Sequence, residues 1–146
     1  ENLGFQVVYD ARLRERNIGS WQGLTQDEMR HWYPDEYQQL MNDRAGYAMP
    51  GGESRNQVKE RMAAAFNEYL KEAKGETIGI LSHSSAIRAL LSQWIDEEHL
   101  VSTDVGNTSV TTIARDNENS QWHIVASNDL THLEGIESQS LGEPDQ

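Results

Sequence analysis

The sequence predicts an α/β fold, a three-layer sandwich with a mixed, mostly parallel sheet. Two observations carry this. Short β-branched runs at 6–9 and 77–81 alternate with helix-period stripes between and after them. Two further alternating segments, 109–114 and 121–127, flank a polar turn and read as an antiparallel hairpin.

Gln6-Val7-Val8-Tyr9 is the first expected strand, and the glycine-punctuated stretch 10–23 is a long loop. Thr25 followed by Glu28 forms a capping box that starts a short helix to Trp32. Pro34 opens a second helix to about Asn42, with acids in its first turn. Pro50-Gly51-Gly52 breaks the next loop. Ser54 and Gln57 make a second capping box, and Val58, Met62, Ala65, Phe66, Tyr69, Leu70 and Ala73 form the buried stripe of the longest helix, which Gly75 ends. A buried strand at 77–81 then runs to His83 and into a helix at 86–95, striped by Ile87, Leu90, Leu91, Trp94 and Ile95. Trp32, Trp94 and Trp122 are expected to serve core or interface packing. Residues 1–133 make one domain, and 134–146 form a polar, acidic, disordered tail.

A chain of 146 residues is long enough for one real core. Its net charge of −12 argues against a nucleic-acid partner or an anionic membrane surface, both of which need a basic patch. With no cysteine, disulfide and thiol chemistry are excluded, and the expected compartment is the cytoplasm. The histidines lack metal-ligand spacing, so no metal and no cofactor are expected.

Two segments carry chemistry. In the first, a strand delivers His83 to the start of a helix, where unpaired backbone N–H groups and the helix dipole favour an anion. Ligands of open α/β sheets sit at the carboxyl ends of strands. In the second, Leu13-Arg14-Glu15-Arg16-Asn17-Ile18-Gly19-Ser20-Trp21-Gln22-Gly23, two glycines bracket a tryptophan. The glycines permit a sharp turn or a close approach, and burial of Trp21 anchors the loop that carries Glu15.

These segments, with Pro50-Gly51-Gly52-Glu53-Ser54, Ile87-Arg88, Asn107-Thr108-Ser109-Val110 and Asn128-Asp129 followed by His132-Leu133, occur in the order found in one family. The chain resembles the histidine phosphatase superfamily, the phosphoglycerate-mutase-like enzymes. The resemblance implies phosphoryl transfer through a phosphohistidine: one histidine attacks, a second histidine and arginines hold the phosphate oxygens, and a carboxylate protonates the leaving oxygen. On this resemblance His83 matches the second histidine and Glu15 the acid/base. Ser84, where the family usually has glycine, would either add a hydroxyl contact to the phosphate or crowd the pocket, and Asn17 would contact substrate. The substrate this resemblance implies is a small phosphomonoester.

The family's nucleophile lies in an Arg-His-Gly motif. None of the five histidines here, His31, His83, His99, His123 and His132, lies in such a motif. The match begins late, with residues 1–5 falling at the end of the family's second helix and its first strands lacking a counterpart. The expectation is therefore the C-terminal part of a phosphatase. Without a nucleophile this part alone would be inactive; loss of a covalent nucleophile costs about a million-fold in a well-studied hydrolase. Unpartnered apolar strand edges would make it self-associate, as a homo-oligomer or an aggregate. Mutases of the family usually carry His and Tyr where Asn17 and Ile18 stand, and an insertion before the long helix, so hydrolysis is favoured over mutase action. The alternative from another class is a non-catalytic module that binds a phosphorylated ligand or a partner protein.

Overall fold

A computed structural model describes residues 4, 6–73, 77–95, 105–117 and 119–135. The chain divides into two compact units, Glu1–Ser102 and Thr103–Gln146. The Gly75 helix stop, His99, and the tail beyond residue 135 lie outside the described residues, as do all but one of residues 1–5.

The first unit is helical. Helix α1, Gln26–Trp32, starts at a full capping box: Thr25 Oγ1 accepts from the Glu28 amide, and the Glu28 carboxylate accepts from the Thr25 amide at 2.8 Å. Helix α2, Pro34–Asn42, has its proline in the first turn, where a missing N–H costs nothing. Helix α3, Arg55–Ala73, follows the second expected box. The Ser54 amide donates to Gln57 Oε1 at 2.8 Å, and the Gln57 amide to Ser54 Oγ at 3.1 Å. Helix α4, Ser84–Leu91, begins two residues earlier than its stripe suggests, because His83 itself is the N-cap. It ends at Leu91, and turns carry the chain on to Ile95.

The core lies where α3 packs on α4. Val58, Met62, Ala65 and Phe66 from α3 are buried, as are Ala86, Leu90 and Leu91 from α4. Trp94 meets Phe66 edge-on, with ring centroids 5.3 Å apart. The chain before α1 is tied to the far end of α3. Asp10 accepts from Arg12 and from the Tyr69 hydroxyl, and Arg12 also pairs with Glu68 at 2.7 Å. Those hydrogen bonds, Arg12's first, hold the Asp10 carboxyl well below the usual carboxylate range.

Two sequence expectations fail in this unit. Residues 6–9 and 77–81 form no strand. Val7, Val8, Tyr9 and Leu81 are 72%, 77%, 93% and 94% exposed. A strand exists only through a ladder partner, since its backbone N–H and C=O groups must be paired. Neither segment has one among the described residues, so β-propensity alone does not make it a strand. Trp32 is 56% exposed, which excludes the core half of its expected role and leaves interface packing.

The second unit holds the expected hairpin. Strands β1, Val110–Ala114, and β2, His123–Asp129, pair antiparallel with Ala114 opposite His123 and Val110 opposite Asp129. The register shifts on both sides of Thr112. Asn128, with φ of 51°, accepts the Gly106 amide at 2.8 Å and fixes the approach to β1. Trp122 packs beneath the Arg115 guanidinium.

Met62, on the buried face of α3, is almost fully enclosed. Met62→Ala is expected to cost about 2–5 kcal/mol, read as a lower denaturation midpoint.

Candidate active site

The loop from residue 12 to 23 is built from its two ends. At its C-terminal end Trp21 is completely buried, with the rings of Tyr33 and Tyr37 at 6.0 and 6.2 Å. That burial is the anchoring the sequence suggests. Gly19 adopts φ of 55° against the Pro50-Gly51-Gly52 turn, where an added Cβ would lie 2.2 Å from the Pro50 carbonyl oxygen. Only glycine fits, because the Ser20 amide donates to that same carbonyl at 3.0 Å. Asn17 ties the two segments together: its Nδ2 donates to the Gly51 carbonyl at 3.0 Å, and its Oδ1 accepts the Gly19 amide at 2.8 Å.

The N-terminal half of the loop is held by Glu53 and Arg61. The Arg61 guanidinium forks onto Glu53 at 2.8 and 3.0 Å. Its remaining donors reach the carbonyls of Arg12, Arg14 and Glu15 at 2.6, 2.8 and 3.1 Å. Glu53 in turn accepts the Asn17 amide at 3.0 Å and the Arg14 side chain at 2.9 Å. Arg16 donates to the Glu53 carbonyl at 2.8 Å, and burial pulls its guanidinium below the ordinary arginine value.

This scaffold presents half-buried Glu15 to the start of α4. Its carboxylate accepts the Ser85 amide at 3.2 Å and the Ala86 amide at 3.1 Å, as well as the Arg16 amide at 2.7 Å. The anion-favouring helix start is thus engaged by the protein's own carboxylate. His83 and Ser84, the N-cap and first residue of that helix, are exposed beside it. Glu15 and Asn17 also line a cleft of about 620 Å³, with Arg14, Arg16, Gln22 and Ser85. The structure therefore gathers Glu15, His83 and Ser84 around one helix terminus. Asn17 lines the cleft with its amide committed to the loop. Among the described residues no group of three or more His, Asp or Glu side chains is arranged to hold a metal ion.

Sequence reasoning missed Arg61 and the role of Glu53. Arg61 sits on the long helix, far in sequence from the carbonyls it binds, and nothing local marks it. The only available signal was that it falls eight positions after Glu53, on the helix that Glu53 precedes.

Bonding to Arg61, ahead of the Asn17 amide, holds the Glu53 carboxyl below its ordinary value. A depressed carboxylate contributes stability above its unfolded value and loses it as pH falls through its folded one. Acid titration of stability should therefore show a loss below about pH 4.5 that Glu53→Gln makes shallower.

The family model of the histidine phosphatase superfamily, branch 1, matches residues 1–130. Phosphoglycerate mutase-like protein 4 of Arabidopsis thaliana is 32% identical over 130 residues, covering 88% of this chain and 56% of that protein. The metal-independent phosphoserine phosphatase of the same plant is 29% identical, covering 90% of this chain and 54% of that protein. Among solved structures, YhfR of Bacillus stearothermophilus aligns with a TM-score of 0.69 at 30% identity, covering 85% of this chain and 62% of that one. A mycobacterial glucosyl-3-phosphoglycerate phosphatase in complex with inorganic phosphate aligns with a TM-score of 0.66 at 27% identity, covering 82% and 63%. These neighbours carry the α/β histidine phosphatase fold. The chain spans a little over half the length of the curated relatives it matches. It belongs to the histidine phosphatase superfamily.

Proposed function

We propose that this chain is the C-terminal part of a phosphatase that hydrolyses a small phosphomonoester through a phosphohistidine. The observation that carries the reading is the Glu15 carboxylate seated on the first amides of α4, immediately after His83. It puts a carboxylate and an exposed imidazole at one helix start. In the proposed reaction the nucleophilic histidine, on polypeptide preceding Glu1, attacks phosphorus in line. His83 donates to the phosphoryl oxygens, with the Ser84 hydroxyl as a further donor and Asn17 on the wall beside the substrate. Glu15 gives its proton to the leaving oxygen, then takes one from the water that cleaves the phosphohistidine.

Relatives named as a phosphoserine phosphatase and a glucosyl-3-phosphoglycerate phosphatase support hydrolysis of a small phosphorylated compound. The exposed Val7, Val8, Tyr9 and Leu81 support the sheet in which 6–9 and 77–81 gain neighbours from preceding strands. In that state the protein is a three-layer sandwich with a mixed, mostly parallel sheet, and residues 1–133 form one domain ahead of the acidic tail. Without those strands the chain is expected to be inactive and to self-associate. No helix among the described residues is long and apolar enough to cross a membrane. A cytoplasmic site of action belongs to the proposal.

The test is kinetic, on the whole natural protein. Glu15→Gln should lower kcat for an alkyl phosphomonoester by about 100- to 10,000-fold. His83→Ala should lower kcat/KM and weaken competitive inhibition by inorganic phosphate. A protein that binds phosphate but turns over nothing, with or without Glu15, would instead be a binding module.

A further inference from the structure

We propose that Arg61 is a positioning residue for Glu15, setting the reach of the proton carrier while touching neither substrate nor the reacting atoms. This rests on the acid/base reading of Glu15. Arg61 grips the backbone of the Glu15 loop at three carbonyls, including that of Glu15 itself at 3.1 Å. The same guanidinium is braced by Glu53 through two bonds, and Glu53 closes the grip by taking the Asn17 amide on the other side of Glu15. The backbone is therefore fixed before and after the carboxylate-bearing residue. Both anchors are largely covered, with side chains 12% and 15% exposed. Arg61 is rooted in α3, whose neighbour Met62 is locked in the core. The reference frame for Glu15 is thus a packed helix, and the loop inherits its rigidity.

A lysine cannot reproduce this. Its ammonium is a single point donor, whereas the planar fork reaches the carboxylate and the carbonyls together. Misplacing a catalytic group by about 1 Å costs about 100-fold in rate. The loss should fall on proton delivery, so it should depend on the leaving group.

The experiment measures Arg61→Ala and Arg61→Lys in the whole natural protein with two substrates. One is an alkyl phosphomonoester, whose alkoxide must be protonated as it leaves. The other is p-nitrophenyl phosphate, whose phenolate departs without a proton. The expected result is a fall in kcat of about 100-fold for the alkyl substrate, with KM little changed, and little effect on the aryl one. In a Glu15→Gln background the Arg61 substitutions should add nothing further. Equal losses on both substrates in a folded variant, or no loss on either, would overturn the proposal. Should Arg61→Ala fail to fold, Arg61→Lys carries the test. Should Glu15→Gln itself affect both substrates equally, the acid/base reading fails. The positioning claim is then decided by the backbone amide NMR shifts of Ser85 and Ala86, which Arg61→Lys must move if Arg61 places the Glu15 carboxylate; unmoved shifts overturn it.

Discussion

The fork between Arg61 and Glu53 is the constraint on which the rest of the site depends. A loop with two arginines and an acid between residues 14 and 16 has no reason of its own to hold one conformation. Its backbone order costs about 1–2 kcal/mol per residue in lost entropy. Carbonyl oxygens aimed at a single guanidinium supply the opposing term, and that guanidinium is oriented by Glu53 on the adjacent turn. Charge-assisted bonds in a largely covered setting are stronger than their exposed counterparts. The Trp21 anchor and the Gly19 contact with Pro50 complete the loop from the other end.

What the loop achieves is the placement of a carboxylate at a helix start. The first amides of α4 have no intrahelical partner and need an acceptor. Glu15 supplies it for Ser85 and Ala86. The same contact brings the carboxylate beside His83 and Ser84, so one interaction serves both the helix start and the assembly of the proposed site. In the proposed reaction the imidazole and the hydroxyl face the phosphoryl oxygens, while the carboxylate stays tethered next to them.

Much of the first unit was legible because its signals are local. Both capping boxes are read from residues three apart, and the α3 stripe from Val58 to Phe66 needs only the helix period. The same holds for the hairpin, whose strands alternate and adjoin in sequence. Residues 6–9 and 77–81 form no strand here because a strand is a relation between segments. Their β-branched residues describe a preference, and the partner that would realise it is not among the described residues. At the site, Glu15, Asn17, His83 and Ser84 were named from motif resemblance, and the structure draws Glu15, His83 and Ser84 to one helix end. Arg61 was missed because its meaning lies in carbonyls 46 to 49 positions away, which no local pattern encodes.

The central claim is that this chain supplies the second histidine and the acid of a phosphohistidine enzyme, with the nucleophile ahead of Glu1. The most direct measurement is to trap the phosphoenzyme. The whole natural protein is mixed with a radiolabelled phosphomonoester, quenched in alkali to preserve phosphohistidine, and mapped by peptide. The account predicts label on a histidine preceding Glu1 and none on His83. Label on His83, or turnover through an intermediate that carries no label on any histidine, would contradict it.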